Sequence, residues 1–93
     1  MTDPDQLNRA LRRGDELAQQ LIENHGLNRD DYEHDLFYGN PDLALWDILE
    51  DLLEAGAIIS KDGFDDVVEV VSEIRGVGEG NDVRHRYQDL TKK

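Results

Sequence analysis

Two neighbouring stretches, residues 41–55 and 61–75, carry apolar residues at the spacing of one face of an α-helix. Acidic residues fall at the same spacing on the opposite side of each stretch. The pattern therefore predicts a pair of amphipathic helices that bury one face each. The residues predicted to face inward are Leu43, Leu45, Trp46, Leu49, Leu52 and Leu53 in the first helix and Phe64, Val67, Val68, Val71 and Ile74 in the second.

The ends of both helices are marked by typical start and stop residues. Asn40 and Pro41 open the first helix, and Gly56 follows its end. Ser60 is placed to cap the second helix. The connector between them, residues 57–59, is apolar, so we expect it to be buried and the two helices to fold back on each other. The valine-rich centre of the second helix also has strand propensity, but its spacing favours a helix.

The N-terminal part predicts two further helices. Thr2 or Asp3 caps a first helix within residues 1–27, and Gly14 either kinks that helix or follows a loose initial turn. A short second helix follows Asn28. Its predicted apolar face consists of Tyr32, Leu36 and Phe37.

The C-terminal part divides into a glycine-rich stretch, residues 76–80, and a basic tail, residues 81–93. We interpret the glycines as a flexible break. Val83, Tyr87 and Leu90 share a helical face, which predicts a short helix packed on the bundle, with a frayed end as the alternative. The fold class predicted is all-α: a single domain, residues 1–93, built as a small compact bundle of four to five helices around the acidic helical core of residues 28–75.

Composition favours a small soluble domain of the cytoplasm. The chain has no cysteine, so disulfides and thiolate metal sites are excluded. Its first dozen residues are polar, unlike a signal peptide, and no apolar run approaches the roughly 20 residues of a membrane span. We expect no membrane partner.

Negative charge is concentrated in the middle of the chain. The formal net charge is −12, and residues 30–74 carry fourteen acidic residues against Lys61 alone, a net of −13. Such a surface disfavours nucleic acids and anionic membranes and favours a basic protein partner. The alternative is a generally acidified proteome, as in salt-adapted organisms, in which acidity carries no information about a partner.

No residue pattern predicts catalysis, a metal site or a cofactor. His25, His34 and His85 lie in separate segments without a metal-binding spacing, and the glycine-rich stretch lacks the lysine and hydroxyl residue of a phosphate loop. A catalytic acid requires a desolvated carboxyl group, which solvent-facing stripes do not provide. Trp46 is interpreted as the centre of the core, with a partner-facing anchor as the alternative. We therefore predict a binding protein that is not an enzyme.

The acidic sides of the two central helices are the predicted partner-binding surface. Like charges one turn apart cost a helix a few tenths of a kcal/mol each, and electrostatic docking on a positive surface would give those charges a use. The candidate contact residues are Asp47, Glu50, Asp51, Glu54, Asp66, Glu69 and Glu73.

The central stretch resembles the immunity proteins of bacterial polymorphic toxin systems, in particular the Maf immunity family and related immunity proteins of contact-dependent growth inhibition. The matching pieces are Tyr38-Gly39-Asn40, Leu43-Ala44-Leu45, Glu50-Asp51-Leu52-Leu53-Glu54, Ile58-Ile59-Ser60 and the helix through Phe64. The family's aromatic residues near the end of the first of these helices are replaced here by Leu53-Glu54-Ala55.

The resemblance implies an all-helical protein without enzymatic activity that binds a cognate secreted toxin in the cytoplasm of the producing cell. Such toxins are often RNases or other nucleases. A second hypothesis is a small acidic regulatory or adaptor module, and a third is a nucleic-acid mimic that occupies a DNA-binding protein.

Overall fold

The computed structural model describes residues 4–92, and this part of the chain contains five α-helices and no β-strand. The helices are α1 (Pro4–His25), α2 (Glu33–Phe37), α3 (Pro41–Glu54), α4 (Lys61–Arg75) and α5 (Val77–Tyr87). Short 3-10 turns, Arg29–Asp31 and Gln88–Thr91, flank them. The predicted all-α bundle is confirmed.

One hydrophobic core is shared by four helices and the C-terminal turn. Helix α1 packs against both α3 and α4, and α4 also packs along α5. The largest fully buried side chains come from α3, α4, α5 and the final turn: Leu45, Ile48, Leu49, Leu52, Val67, Val70, Val71, Val83, Tyr87 and Leu90. None of the helices within residues 4–92 is long and apolar enough to cross a membrane.

Helix α1 is continuous from Pro4 through Gly14, so no loose turn precedes Gly14 in the described part of the chain. Gly14 lies against α3 and α4, where an added Cβ would be 3.1 Å from Pro41 and 3.2 Å from Val70. The glycine therefore permits a close helix approach that offsets its low helix propensity. Gly26 ends the helix with a φ of 63°. The predicted caps Thr2 and Asp3 lie outside the described residues.

The predicted ends of the two central helices are confirmed. Pro41 opens α3, and the Ser60 hydroxyl accepts a hydrogen bond of 3.0 Å from the Gly63 amide at the start of α4. The connector before Ser60 is only partly buried. Ile59 is buried, whereas Ile58 is 44% exposed, because consecutive side chains of an extended segment point in opposite directions.

The glycine-rich stretch is helical, so its interpretation as a flexible break is wrong. Helix α5 begins at Val77, directly after Gly76, which adopts a φ of 108°. Gly80 is buried against α4, where an added Cβ would overlap the Ser72 hydroxyl and lie 3.2 Å from the Val68 carbonyl oxygen. Tertiary packing therefore overrides the poor helix propensity of glycine.

The predicted packing of the C-terminal tail is confirmed. Val83, Tyr87 and Leu90 are all fully buried. The Leu90 carbonyl also accepts a hydrogen bond of 2.8 Å from the Ile59 amide, which ties the tail to the α3–α4 connector. Arg84 and Arg86 of the tail form ion pairs with Asp65 and Glu50 of the central helices.

Candidate protein-binding surface

The structure divides the seven candidate acidic residues into two groups with different neighbours. Asp47, Glu50, Asp51 and Glu54 lie on the outward side of α3, opposite its buried face. Asp66, Glu69 and Glu73 lie on α4 and converge on α1. Sequence reasoning places both groups on helix surfaces, but it does not reveal these neighbours.

The α4 group surrounds a single arginine of α1. Arg13 donates hydrogen bonds to Asp66 at 2.8 Å and to Glu69 at 3.0 Å, and Glu73 lies 4.0 Å away. The hydrogen bond that Arg13 donates to Glu69 and the charges of the surrounding carboxylates raise the pKa of Arg13. These three acidic residues are therefore already engaged in holding α1 against α4.

Glu50 of α3 is fixed by the C-terminal tail. It accepts a hydrogen bond of 2.7 Å from the Tyr87 hydroxyl, and the Arg86 guanidinium lies 3.2 Å away. These two hydrogen bonds lower the pKa of Glu50. Burial, together with the hydrogen bond to Glu50, raises the pKa of Tyr87 to about 12. Glu50 is thus a charged and oriented carboxylate at neutral pH.

Asp47 and Asp51 belong to a cluster of carboxyl groups between α2 and α3. Asp51 accepts a hydrogen bond from the hydroxyl of Tyr32, a buried residue. Partial desolvation and the nearby charge of Asp35 raise the pKa of Asp47. A cation placed here would relieve this repulsion.

Glu54 is the exposed member of the α3 group at the C-terminal end of the helix. It has no hydrogen-bond or ion-pair partner among residues 4–92. Its charge is therefore available to an incoming partner at no cost to internal contacts.

Apolar side chains occupy the N-terminal half of the same α3 face. Leu43, predicted to be buried, is 40% exposed, and Trp46 is half-buried at the edge of the core instead of at its centre. The centre is filled by Leu45, Ile48 and Leu49, because the core-facing direction of α3 lies about 100° or more from Leu43 around the helix axis. The alternative interpretation of Trp46 as a partner-facing residue remains open.

Trp46 borders a shallow groove of about 220 Å³ between α3, α4 and the start of α5. Its ring packs edge-on against the Tyr87 ring, with the centroids 5.8 Å apart. The residues that line the groove are Asp42, Leu43, Trp46, Val71, Arg75 and Glu79.

Two more aromatic residues are exposed at the end of α2. Phe37, predicted to face inward, is 79% exposed, and its ring lies 5.2 Å from the ring of Tyr38. Helix α2 has only five residues, so Tyr32 before it and Leu36 within it provide its contacts with the core. Aromatic residues are enriched at protein-binding surfaces.

The described residues provide no metal-binding group of three or more histidine, aspartate or glutamate side chains. Ser60 caps α4, and the Ser72 hydroxyl donates to the Val68 carbonyl oxygen at 2.8 Å. Both hydroxyl groups are thus bonded to the backbone.

Comparison with known proteins finds no matching family model, no matching curated protein and no matching solved structure.

Proposed function

We propose that this protein is an immunity protein that binds and neutralises a secreted bacterial toxin, and that the toxin is a basic nuclease. The observation that carries the proposal is the outward face of α3. Carboxylates at Asp47, Glu50 and Glu54 continue directly from two apolar residues, the exposed Leu43 and the half-buried Trp46. The sequence resemblance to Maf-type immunity proteins points to the same function.

The α3 face has the two components of a tight protein interface. Binding energy is concentrated in a few aromatic or apolar anchors, and surrounding charges provide specificity and fast association. A nuclease must attract phosphate, so the surface around its active site is positive. An acidic helix that covers this surface would exclude the nucleic acid by charge and by steric overlap.

Asp47 and Glu54 of α3 are better candidates for toxin contacts than the α4 residues, whereas Glu50 is already paired with Arg86. Arg13 already balances part of the charge of Asp66, Glu69 and Glu73, and a partner would have to compete with it. Glu54 has no ion-pair partner in the described part of the chain, and a nearby cation would stabilise the charged form of Asp47. We assign the principal contacts to α3 and an accessory role to α4.

The proposal is tested by co-expression with the product of the gene directly upstream. That product should arrest bacterial growth when expressed alone, and this protein should restore growth and co-purify with it at equal stoichiometry. Growth arrest that persists in the presence of a folded, soluble immunity protein would contradict the proposal.

The same experiment separates the other two hypotheses. A nucleic-acid mimic would bind unrelated DNA-binding proteins as tightly as the upstream product. An adaptor module would bind without restoring growth. Selective binding together with restored growth is the result that only the immunity function predicts.

A further inference from the structure

The groove beside Trp46 combines an apolar floor with an acidic edge. Leu43 and Trp46 of α3 and Val71 of α4 form the floor. Glu79, in the first turn of α5, lies at the edge and is exposed. The edge-on contact with the Tyr87 ring holds Trp46 in place.

The positive charge at the groove is already balanced. Arg75 lies 2.7 Å from Asp42, the one charged residue that is buried in the described part of the chain, with 7% of its surface exposed. Glu79 has no hydrogen-bond or ion-pair partner within residues 4–92. The uncompensated charge of the groove is therefore negative.

We infer that this groove takes one apolar or aromatic side chain of the toxin, next to a lysine or arginine that pairs with Glu79. The inference rests on the proposed function and specifies the chemistry of the partner. A buried aromatic or aliphatic anchor with charged residues around it is the usual composition of an interface hot spot. The acidic residues farther along α3 would then meet additional basic residues of the same partner.

Charge and size argue against other occupants. A second copy of this chain would bring another net charge of −12 to an acidic surface, so repulsion opposes self-association there. Small-molecule sites usually enclose about 300–1,000 Å³, whereas this groove has a volume of about 220 Å³ and is open to solvent. A single side chain of a larger partner fits these dimensions better.

The test uses a hexapeptide probe with a central phenylalanine–leucine pair, two lysines before the pair and two lysines after it. The emission of Trp46, the sole tryptophan, reports its binding. One control peptide replaces the apolar pair by two alanines, and another replaces the lysines by glutamines. We expect the full probe to bind at least tenfold more tightly than either control.

The protein variants localise the binding. Leu43→Glu should weaken probe binding at least tenfold, whereas Ile58→Glu, at a residue of similar exposure outside the groove, should leave it unchanged. Both variants change the net charge by the same amount, so net charge does not account for a difference in probe binding between them. Leu43→Ala provides a second variant without the added charge, and Glu79→Gln should weaken binding several-fold.

Equal binding of the full probe and the alanine control would overturn the inference, because the apolar anchor would then contribute nothing. Equal binding of the glutamine control would indicate an apolar ligand site without charge selection and would also overturn it. Absence of binding at millimolar probe, or concentration-dependent dimerisation that Leu43→Glu abolishes, would have the same consequence. Co-expression with the upstream product fails or succeeds independently of these results, so the groove and the immunity function are judged separately.

Discussion

Asp47 and Glu50 lie one helical turn apart on α3, but their surroundings shift their pKa values in opposite directions. Tyr87 and Arg86 favour the charged form of Glu50, whereas partial desolvation and the charge of Asp35 disfavour the charged form of Asp47. The sequence predicts that both residues are on the outward face. It does not predict their partners, because these come from segments up to 37 residues away, and their positions depend on how the helices pack.

The hydrogen bond from Tyr87 to Glu50 should contribute measurably to stability. Tyr87 is fully buried, so Tyr87→Phe removes a bond without changing the packed ring. We expect a loss of about 1 kcal/mol in the free energy of unfolding, as is usual for one hydrogen bond. Urea denaturation of the wild type and of Tyr87→Phe measures this difference in the free energy of unfolding. Tyr38→Phe, at an exposed tyrosine, is the control and should leave the midpoint unchanged.

The raised pKa of Asp47 predicts a stabilising substitution with a defined pH dependence. The folded state binds the Asp47 proton more tightly than the unfolded state. Protonated Asp47 therefore stabilises the fold at low pH, and this stabilisation is lost as the pH rises through the pKa of Asp47 in the folded state. Asp47→Asn should therefore stabilise the protein at pH 7, by at most about 0.5 kcal/mol because the side chain is exposed.

Urea denaturation of Asp47→Asn at pH 7 and at acidic pH tests the sign. The gain should shrink as Asp47 of the wild type becomes protonated. Glu50→Gln should behave in the opposite way, with a loss of stability at neutral pH that diminishes in acid, because the pKa of Glu50 is lowered. A gain from Asp47→Asn that grows on acidification would contradict this account.

At the scale of elements, local start residues made α3 and α4 predictable, although only Ser60 caps its helix through its side chain. Asn40-Pro41 and Ser60 act locally, and the helices begin where these residues predict. The start of helix α5 was not predictable, because its first turn contains two glycines, Gly78 and Gly80, and glycine is the poorest helix former apart from proline. The buried side of α5 explains the difference, since Gly80 allows α5 to approach the backbone of α4.

Substitution of the two glycines within α5 tests this explanation. Gly80→Ala should destabilise the protein by about 1–3 kcal/mol, the usual cost of overpacking, because the new methyl group meets Ser72 and Val68. Gly78→Ala is the matched control. Nothing lies within 4 Å of a Cβ added at Gly78, so alanine should stabilise the exposed helix by about 0.5–1 kcal/mol. Equal changes in the melting midpoint for Gly80→Ala and Gly78→Ala would argue against close packing of α4 and α5.

At the scale of the whole molecule, the acidic residues outnumber the basic ones 22 to 10. Five of the basic residues are committed to ion pairs within the described chain: Arg13, Arg75, Arg84, Arg86 and Lys92. Most of the acidic residues therefore repel one another without compensation. The net charge follows from the sequence alone. Which acidic residue each basic residue pairs with depends on how the helices pack, and the sequence does not predict it.

This excess of negative charge predicts that salt stabilises the fold. Exposed ion pairs contribute little, so screening their attraction should matter less than screening the repulsion among 22 acidic residues. Raising NaCl from low to physiological and higher concentrations should stabilise the protein by on the order of 1 kcal/mol, or about 4–8 °C in the melting midpoint. A midpoint that falls with salt would show that the ion pairs dominate.

The central claim, that the outward face of α3 binds a basic toxin, is tested most directly by the rate constant for association with the upstream gene product. Two double variants change the net charge equally: Asp47→Lys with Glu54→Lys on α3, and Glu16→Lys with Glu23→Lys on α1, where both glutamates are exposed. At low salt, the α3 pair should slow association at least tenfold, an effect that shrinks as salt rises, whereas the α1 pair should slow it far less. Equal slowing by both pairs, or no slowing by the α3 pair, would contradict the account.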